Sequence, residues 1–238
     1  MTKTAARVSG FNYAIISRTL PFALFMAFIA VDESVRFTGS HGWLSLPPGT
    51  LYYLYPLKAF SVAALLYLYR NHYPELRLRD LLDRRVSLAS CIVGVVTFIL
   101  WIYLDWTVSV VGGPAGFDPA LLPEGAIRFA MTAVRVAGAV LVVPVMEELF
   151  WRSFLLRYIV DPDFESVPIG RFTWTSFAVS SLLFGLEHHL FVAGVTAGII
   201  YNVLLYKTRS LAQCVLAHAV TNLALAGYVL LTHNWWLW

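Results

Sequence analysis

The sequence predicts an all-α fold, a polytopic transmembrane helical bundle of about seven to eight spans, and three observations predict it. Seven runs of mostly apolar residues approach the roughly 20 residues that a helix needs to cross a bilayer. Charged residues make up 13% of the chain and the mean hydropathy is +0.70, against roughly 25% charged residues in soluble domains. Lysines and arginines, finally, sort to alternate connections, as the positive-inside rule expects of a multi-pass protein.

The runs fall near 13–31, 49–69, 87–104, 128–158, 173–188, 190–206 and 210–231. The first carries Arg18 internally and has no small-x-small site before Asp32 and Glu33, so it reads as a span and not as a removable leader. Lys3, Arg7, the arginines from Arg70 to Arg85, Arg157, Arg171, Lys207 and Arg209 share one side, with Arg36 opposite. This places the N-terminus of an inner-membrane protein in the cytoplasm, with Trp235, Trp236 and Trp238 as an outer interfacial anchor. The fifth and sixth runs are short and meet at His188-His189 with almost no loop. An eighth, re-entrant or interfacial segment fits around Gly112–Glu124.

No linker of Pro, Gly and Ser divides the chain, so residues 1–238 read as a single integral membrane domain. Cys91 and Cys214 lie in apolar runs, at a spacing that suggests neither a disulfide nor a thiolate site. The net charge of +3 is spread over loops without a basic stripe, which argues against nucleic acid as a partner. Internal repeats and an Arg-rich voltage-sensor pattern are absent from the sequence.

Ionisable groups inside a bilayer are costly, so each is by default a functional candidate with a partner to be named. In the fourth run, Glu148 and Arg152 are four residues apart and can pair on one helix face. Glu147 points about 100° away, without a cation on its own helix and available as a general base. The fifth run ends Phe184-Gly-Leu-Glu187-His188-His189, and the seventh holds His218 and Asn222 one turn apart. At 1.5 Å per residue these groups can converge on one layer. A carboxylate and an imidazole there activate water, and a second imidazole with a carboxamide donates hydrogen bonds to the oxyanion formed at a carbonyl. Glu187 and His189 read as helix-to-helix hydrogen-bonding groups, and Arg18, Lys58 and Arg135 as snorkelling or structural cations.

At these residues the chain resembles the CPBP family, which contains the eukaryotic CAAX prenyl endopeptidases and bacterial bacteriocin-processing or immunity proteins. Its motifs EExxxR, FxxxH and HxxxN/D are matched, in order, by Glu147-Glu148-Leu-Phe-Trp-Arg152, Phe184-Gly-Leu-Glu-His188 and His218-Ala-Val-Thr-Asn222. The resemblance spans a core of approximately 125–231 and leaves the first three spans without a motif. It implies a glutamate-dependent intramembrane endopeptidase acting on a membrane-anchored or lipidated protein. Glu147 with His188 would activate water, His218 with Asn222 would stabilise the oxyanion, and Glu148 with Arg152 would support the layer. The wording around the motifs is similar to a bacterial subgroup associated with exosortase and PEP-CTERM sorting, which implies proteins of that system as partners. Glu187 departs from the family, where a small apolar residue usually precedes the histidine.

No cofactor is required by this reading, although the carboxylates and histidines are compatible with a divalent metal. Two alternatives stand beside it: a non-catalytic membrane scaffold or immunity-type protein that keeps the polar layer for packing, and a proton-coupled transporter that uses the carboxylates as a relay.

Overall fold

The computed structural model describes residues 3–104 and 116–238, and among them there are helices and turns but no strand. Seven helices follow in order: α1 (Lys3–Ser40), α2 (Leu54–Leu68), α3 (Arg84–Tyr103), α4 (Ala126–Tyr158), α5 (Trp174–Leu186), α6 (Phe191–Thr208) and α7 (Leu211–Thr232). All but α5 are long and apolar enough to cross a membrane, with a short 3₁₀ turn at Thr50–Tyr53 extending α2. The chain is a multi-pass membrane protein. Helix α5 has 13 residues, about 20 Å at the α-helical rise. It therefore ends within the membrane, and the non-helical link Glu187–Leu190 is tolerated there because it borders a cavity instead of lipid.

The proposed re-entrant segment lies in part outside the described residues, at 112–115. Its remainder is irregular apart from a single 3₁₀ turn, Pro119–Leu121. Beside that turn, Phe117 and Leu122 pack with Tyr52 and Met131.

Polar capping and small residues set the helix positions. Asp83 caps α3 by accepting from the backbone N–H groups of Arg85 and Val86, and Thr173 caps α5 through Ser176 N–H. Helices α3 and α7 pack closely because Gly94 leaves room for the Ala217 carbonyl, and Thr221 donates to the Gly94 carbonyl at 2.9 Å. Helices α5 and α6 meet at Gly185 and Gly194. There Asn202 donates to Ser180 and Ser181 at 2.9 and 3.0 Å.

Two prolines inside helices leave carbonyls without a backbone donor, and a side chain answers each. Pro21 in α1 cannot serve the Ser17 carbonyl, which instead accepts from Tyr73 Oη at 2.8 Å. Helix α4 widens into π-type turns at Gly138–Val142 and Leu149–Leu155, on either side of Pro144. In that wider register the carbonyl five residues before Pro144 is Ala139, and Asn222 of α7 donates to it at 2.8 Å.

A buried ionic cluster ties α1, α4 and the α2–α3 connection together at one end of the bundle. Arg18 binds both oxygens of Glu75 at 2.8 and 2.9 Å and the His72 carbonyl at 3.0 Å. The Ser153 hydroxyl also donates to Glu75. Burial alone would raise the Glu75 carboxyl, but the hydrogen bonds and charge of Arg18, with Ser153, outweigh it and hold the group below its ordinary value of 4.5. A carboxyl depressed in the folded state contributes stability that is full above the unfolded-state value and lost as pH falls through the folded-state one. Thermal unfolding in detergent is therefore expected to lose stability on acidification below pH 4.5, and Glu75→Gln is expected to flatten that dependence while lowering stability at neutral pH.

Candidate active site

Four helices bring the candidate residues to one place. Glu147 on α4, His188 at the end of α5, and His218 and Asn222 on α7 all line a cavity of about 360 Å³, to which α6 contributes Tyr201. Glu148 and Arg152 lie against the same layer and are buried to 0% and 1% exposure.

The layer is organised around Glu148. Its Oε1 accepts from Arg152 Nη1 at 3.2 Å and from His218 Nδ1 at 2.9 Å. Arg152 also lies against two rings set near right angles, with Cζ 4.4 Å from the Phe184 centroid and 5.3 Å from that of Tyr201. A carboxylate can only accept, so the proton on His218 sits at Nδ1 and its Nε2 is directed elsewhere. Nε2 lies 3.9 Å from Glu147 Oε2, too far for a hydrogen bond. Tyr201 stacks on the His218 ring at 5.0 Å and 24°, with its hydroxyl donated to Thr221 at 2.8 Å.

Glu147 is 4% exposed, and its Oε2 has no hydrogen-bond partner. The two adjacent glutamates thus differ at one oxygen: Glu148 Oε1 is held by two donors, whereas Glu147 lines the cavity with no donor on Oε2; Oε2 of Glu148 is likewise buried without a partner. His218, rather than His188, supplies the ring nitrogen closest to it.

His188 is fixed from the other side of the cavity. Its Nδ1 lies 2.7 Å from the Phe184 carbonyl, which can only accept, so Nδ1 carries the proton. Trp101 of α3 sets its edge against the ring, with centroids 5.2 Å apart. Gly194 matters here, because a Cβ at that position would press on His188 at 3.2 Å. Asn222 spends one amide proton on the Ala139 carbonyl and keeps the other.

Sequence reasoning missed Tyr201, Trp101 and the proline-freed carbonyl, since an aromatic residue in an apolar span carries no distinguishing signal. Glu187 accepts from Trp151 Nε1 at 3.0 Å, a link between α5 and α4, and it also lines the cavity. Among the described residues no group of three or more His, Cys, Asp or Glu side chains is disposed to hold a metal ion. Glu148, whose Oε1 is committed to Arg152 and His218, is a poor additional ligand.

Comparison with known proteins bears on the same layer. Residues 129–224 match the family model described as type II CAAX prenyl endopeptidase Rce1-like. Over these residues the chain is similar to that family. All three motifs fall within the match, which ends two residues after Asn222, while α1 to α3 lie before it. The matched segment thus consists of most of α4, with α5, α6 and the first two-thirds of α7, within a multi-pass membrane protein, and the family it is similar to is a peptidase family. No curated protein and no solved structure matches the chain.

Asn222 offers a test of this packing independent of chemistry. Asn222→Ala leaves the Ala139 carbonyl without a donor and is expected to cost about 1–3 kcal/mol of stability. Asn222→Asp, which cannot donate while ionised, should do no better in a thermal-unfolding assay.

Proposed function

We propose that the protein is an intramembrane endopeptidase in which Glu147 acts as the general base. The observation that carries this reading is the contrast between Glu148, whose Oε1 is fixed by Arg152 and His218, and Glu147, which has no donor on Oε2 and lines a cavity bordered by two oriented imidazoles. Glu147 takes a proton from water as the water oxygen bonds to the peptide carbonyl carbon, and returns it to the amine nitrogen as the C–N bond breaks. His188 lines the same cavity with its Nδ1 proton held by the Phe184 carbonyl, so its Nε2 is the nitrogen left to accept a hydrogen bond from that water. His218, buttressed by Glu148, and the second amide proton of Asn222 face the developing oxyanion; His218 serves there as a donor when its ring takes up a proton.

The substrate class is a membrane-anchored or lipidated protein, with proteins of a sorting system among the candidates. No metal is assigned a step. The N-terminus is placed in the cytoplasm by the distribution of Lys and Arg. The test is cleavage of a panel of membrane-anchored reporter tails by detergent-purified protein, wild type beside Glu147→Gln, with and without chelator. Cutting by the wild type alone supports the reading, and its persistence in chelator supports metal independence. Cutting by both proteins, or by neither on any tail, speaks for a scaffold that keeps the polar layer for packing.

A further inference from the structure

The reaction proposed above makes no use of Glu187, the residue at which the chain departs from the family motif. Glu187 closes α5 directly before His188, and it lines the same cavity as Glu147, His188 and His218. Its Oε2 accepts from Trp151 Nε1 at 3.0 Å, so α4 fixes one of its oxygens. Trp151 is buried and stands four residues after Glu147, about 6 Å along α4 at the α-helical rise. Glu187 is therefore anchored about one helical turn from the residue that acts as the base.

The second oxygen, Oε1, accepts no hydrogen bond, and Glu187 forms no ion pair among the described residues. Other carboxylates held inside the bundle are answered by cations: Glu75 by Arg18 and Arg157, and Glu148 by Arg152. Arg152 follows Trp151 in the chain, yet its Nη1 is spent on Glu148. The cations that line the cavity, Arg36, Lys58 and Arg135, share with Asp32 and Glu33 the end built by the close of α1 and the starts of α2 and α4. Beside His188 the wall is aromatic, with the Trp101 ring 5.2 Å from the imidazole. An open carboxylate oxygen offers a cation an ion pair, and an aromatic and aliphatic wall takes the methylene stem of a long basic side chain.

We propose that Glu187 forms a subsite for a basic side chain, lysine or arginine, of the peptide that the Glu147 layer cuts. The proposal rests on the peptidase reading above. A basic side chain is favoured over a divalent cation because, among the described residues, no group of three or more His, Cys, Asp or Glu side chains is disposed to hold a metal ion. A small apolar residue in place of Glu187 could not make the subsite, so the selection belongs to this chain and not to the motif. Extended peptide covers about 3.3 Å per residue. One turn of α4 between Glu147 and Trp151 thus sets the basic residue within about two residues of the bond that is cut.

The test is equilibrium binding to Glu147→Gln protein, used to prevent turnover, read by fluorescence anisotropy in non-ionic detergent. The probe is the peptide Ala-Val-Leu-Lys-Val-Leu-Ala, labelled at its N-terminus and amidated at its C-terminus. It is made with lysine or with Nε-acetyl-lysine, which keeps the stem and removes the charge. The lysine form is expected to bind about tenfold more tightly or better. Adding Glu187→Gln, which keeps an acceptor for Trp151 Nε1, should remove that preference while leaving binding of the acetylated form unchanged, which also verifies the fold. Adding Glu187→Lys instead should reverse the selection, so that a peptide with glutamate in place of the lysine binds better than the lysine form, a reversal that a purely structural role would not produce. Equal binding of the lysine and acetyl-lysine forms to Glu147→Gln protein overturns the subsite. So does a preference that survives Glu187→Gln, which assigns the cation to Asp32 and Glu33 at the other end of the cavity. Because binding is read without cleavage, a lysine preference beside uncut reporter tails leaves the subsite standing and assigns the failure to the peptidase reading alone.

Discussion

Glu147→Gln is expected to lower reporter cleavage by about 100- to 10,000-fold, the contribution of a positioned general base, with no loss of thermal stability in detergent. The substitution is nearly isosteric and removes the basic oxygen alone. Because Oε2 of Glu147 has no hydrogen-bond partner, no hydrogen bond is given up there. Replacing an uncompensated buried carboxylate by a neutral amide is expected to leave the unfolding temperature unchanged or raise it, the trade between stability and activity met at functional sites. Glu148→Gln is the control, because that carboxylate holds both Arg152 and His218. It should lower stability and activity together. If Glu147→Gln instead destabilises the protein and Glu148→Gln leaves it intact, the division of labour between the two glutamates is reversed.

That division was legible in the sequence to the extent that helix geometry dictates it. Residues four apart share a face, so the Glu148–Arg152 pair followed from spacing, and adjacent residues diverge, so Glu147 followed by exclusion. Apolar length reads seven runs as spans; each forms a helix, and six reach crossing length while α5, from the short fifth run, does not. Tertiary partners were not legible. His188 was the expected companion of Glu147, yet His218 comes nearer, because α7 is placed by its approach to α3 at Gly94 and Ala217 and by the Asn222–Ala139 bond to α4, rather than by depth along a helix. Lys58 and Arg135 read as snorkelling cations because their lengths permit it. Only packing shows that the rings of Phe25, Tyr55 and Phe117 turn them inward. The first three helices carry no motif, yet α1 and α2 build one end of the cavity and α3 supplies Trp101 against His188. A motif reports chemistry that a helix face can encode, whereas a cavity wall needs only shape, which many apolar sequences satisfy.

Arg152→Met is expected to be the most damaging single substitution for folding, costing about 3–5 kcal/mol, the usual result of removing one partner from a buried ion pair. The guanidinium is 1% exposed and the carboxylate opposite it is wholly buried. Arg152 also packs its charged plane on Phe184 and Tyr201, so its loss loosens the helices that position His188 and His218. His218 alone would then have to compensate the Glu148 charge through a single hydrogen bond. The double substitution Glu148→Gln with Arg152→Met removes both charges, and it should be more stable than Arg152→Met alone, since the stranded carboxylate accounts for much of the loss. Unfolding in detergent, followed by tryptophan fluorescence, measures all three variants and completes the cycle. Strictly additive losses would show that the pair is not energetically coupled. A recovery in the double variant without return of cleavage would separate the two roles of the layer, a charge pair that holds four helices together and the unpaired glutamate beside it that does the chemistry.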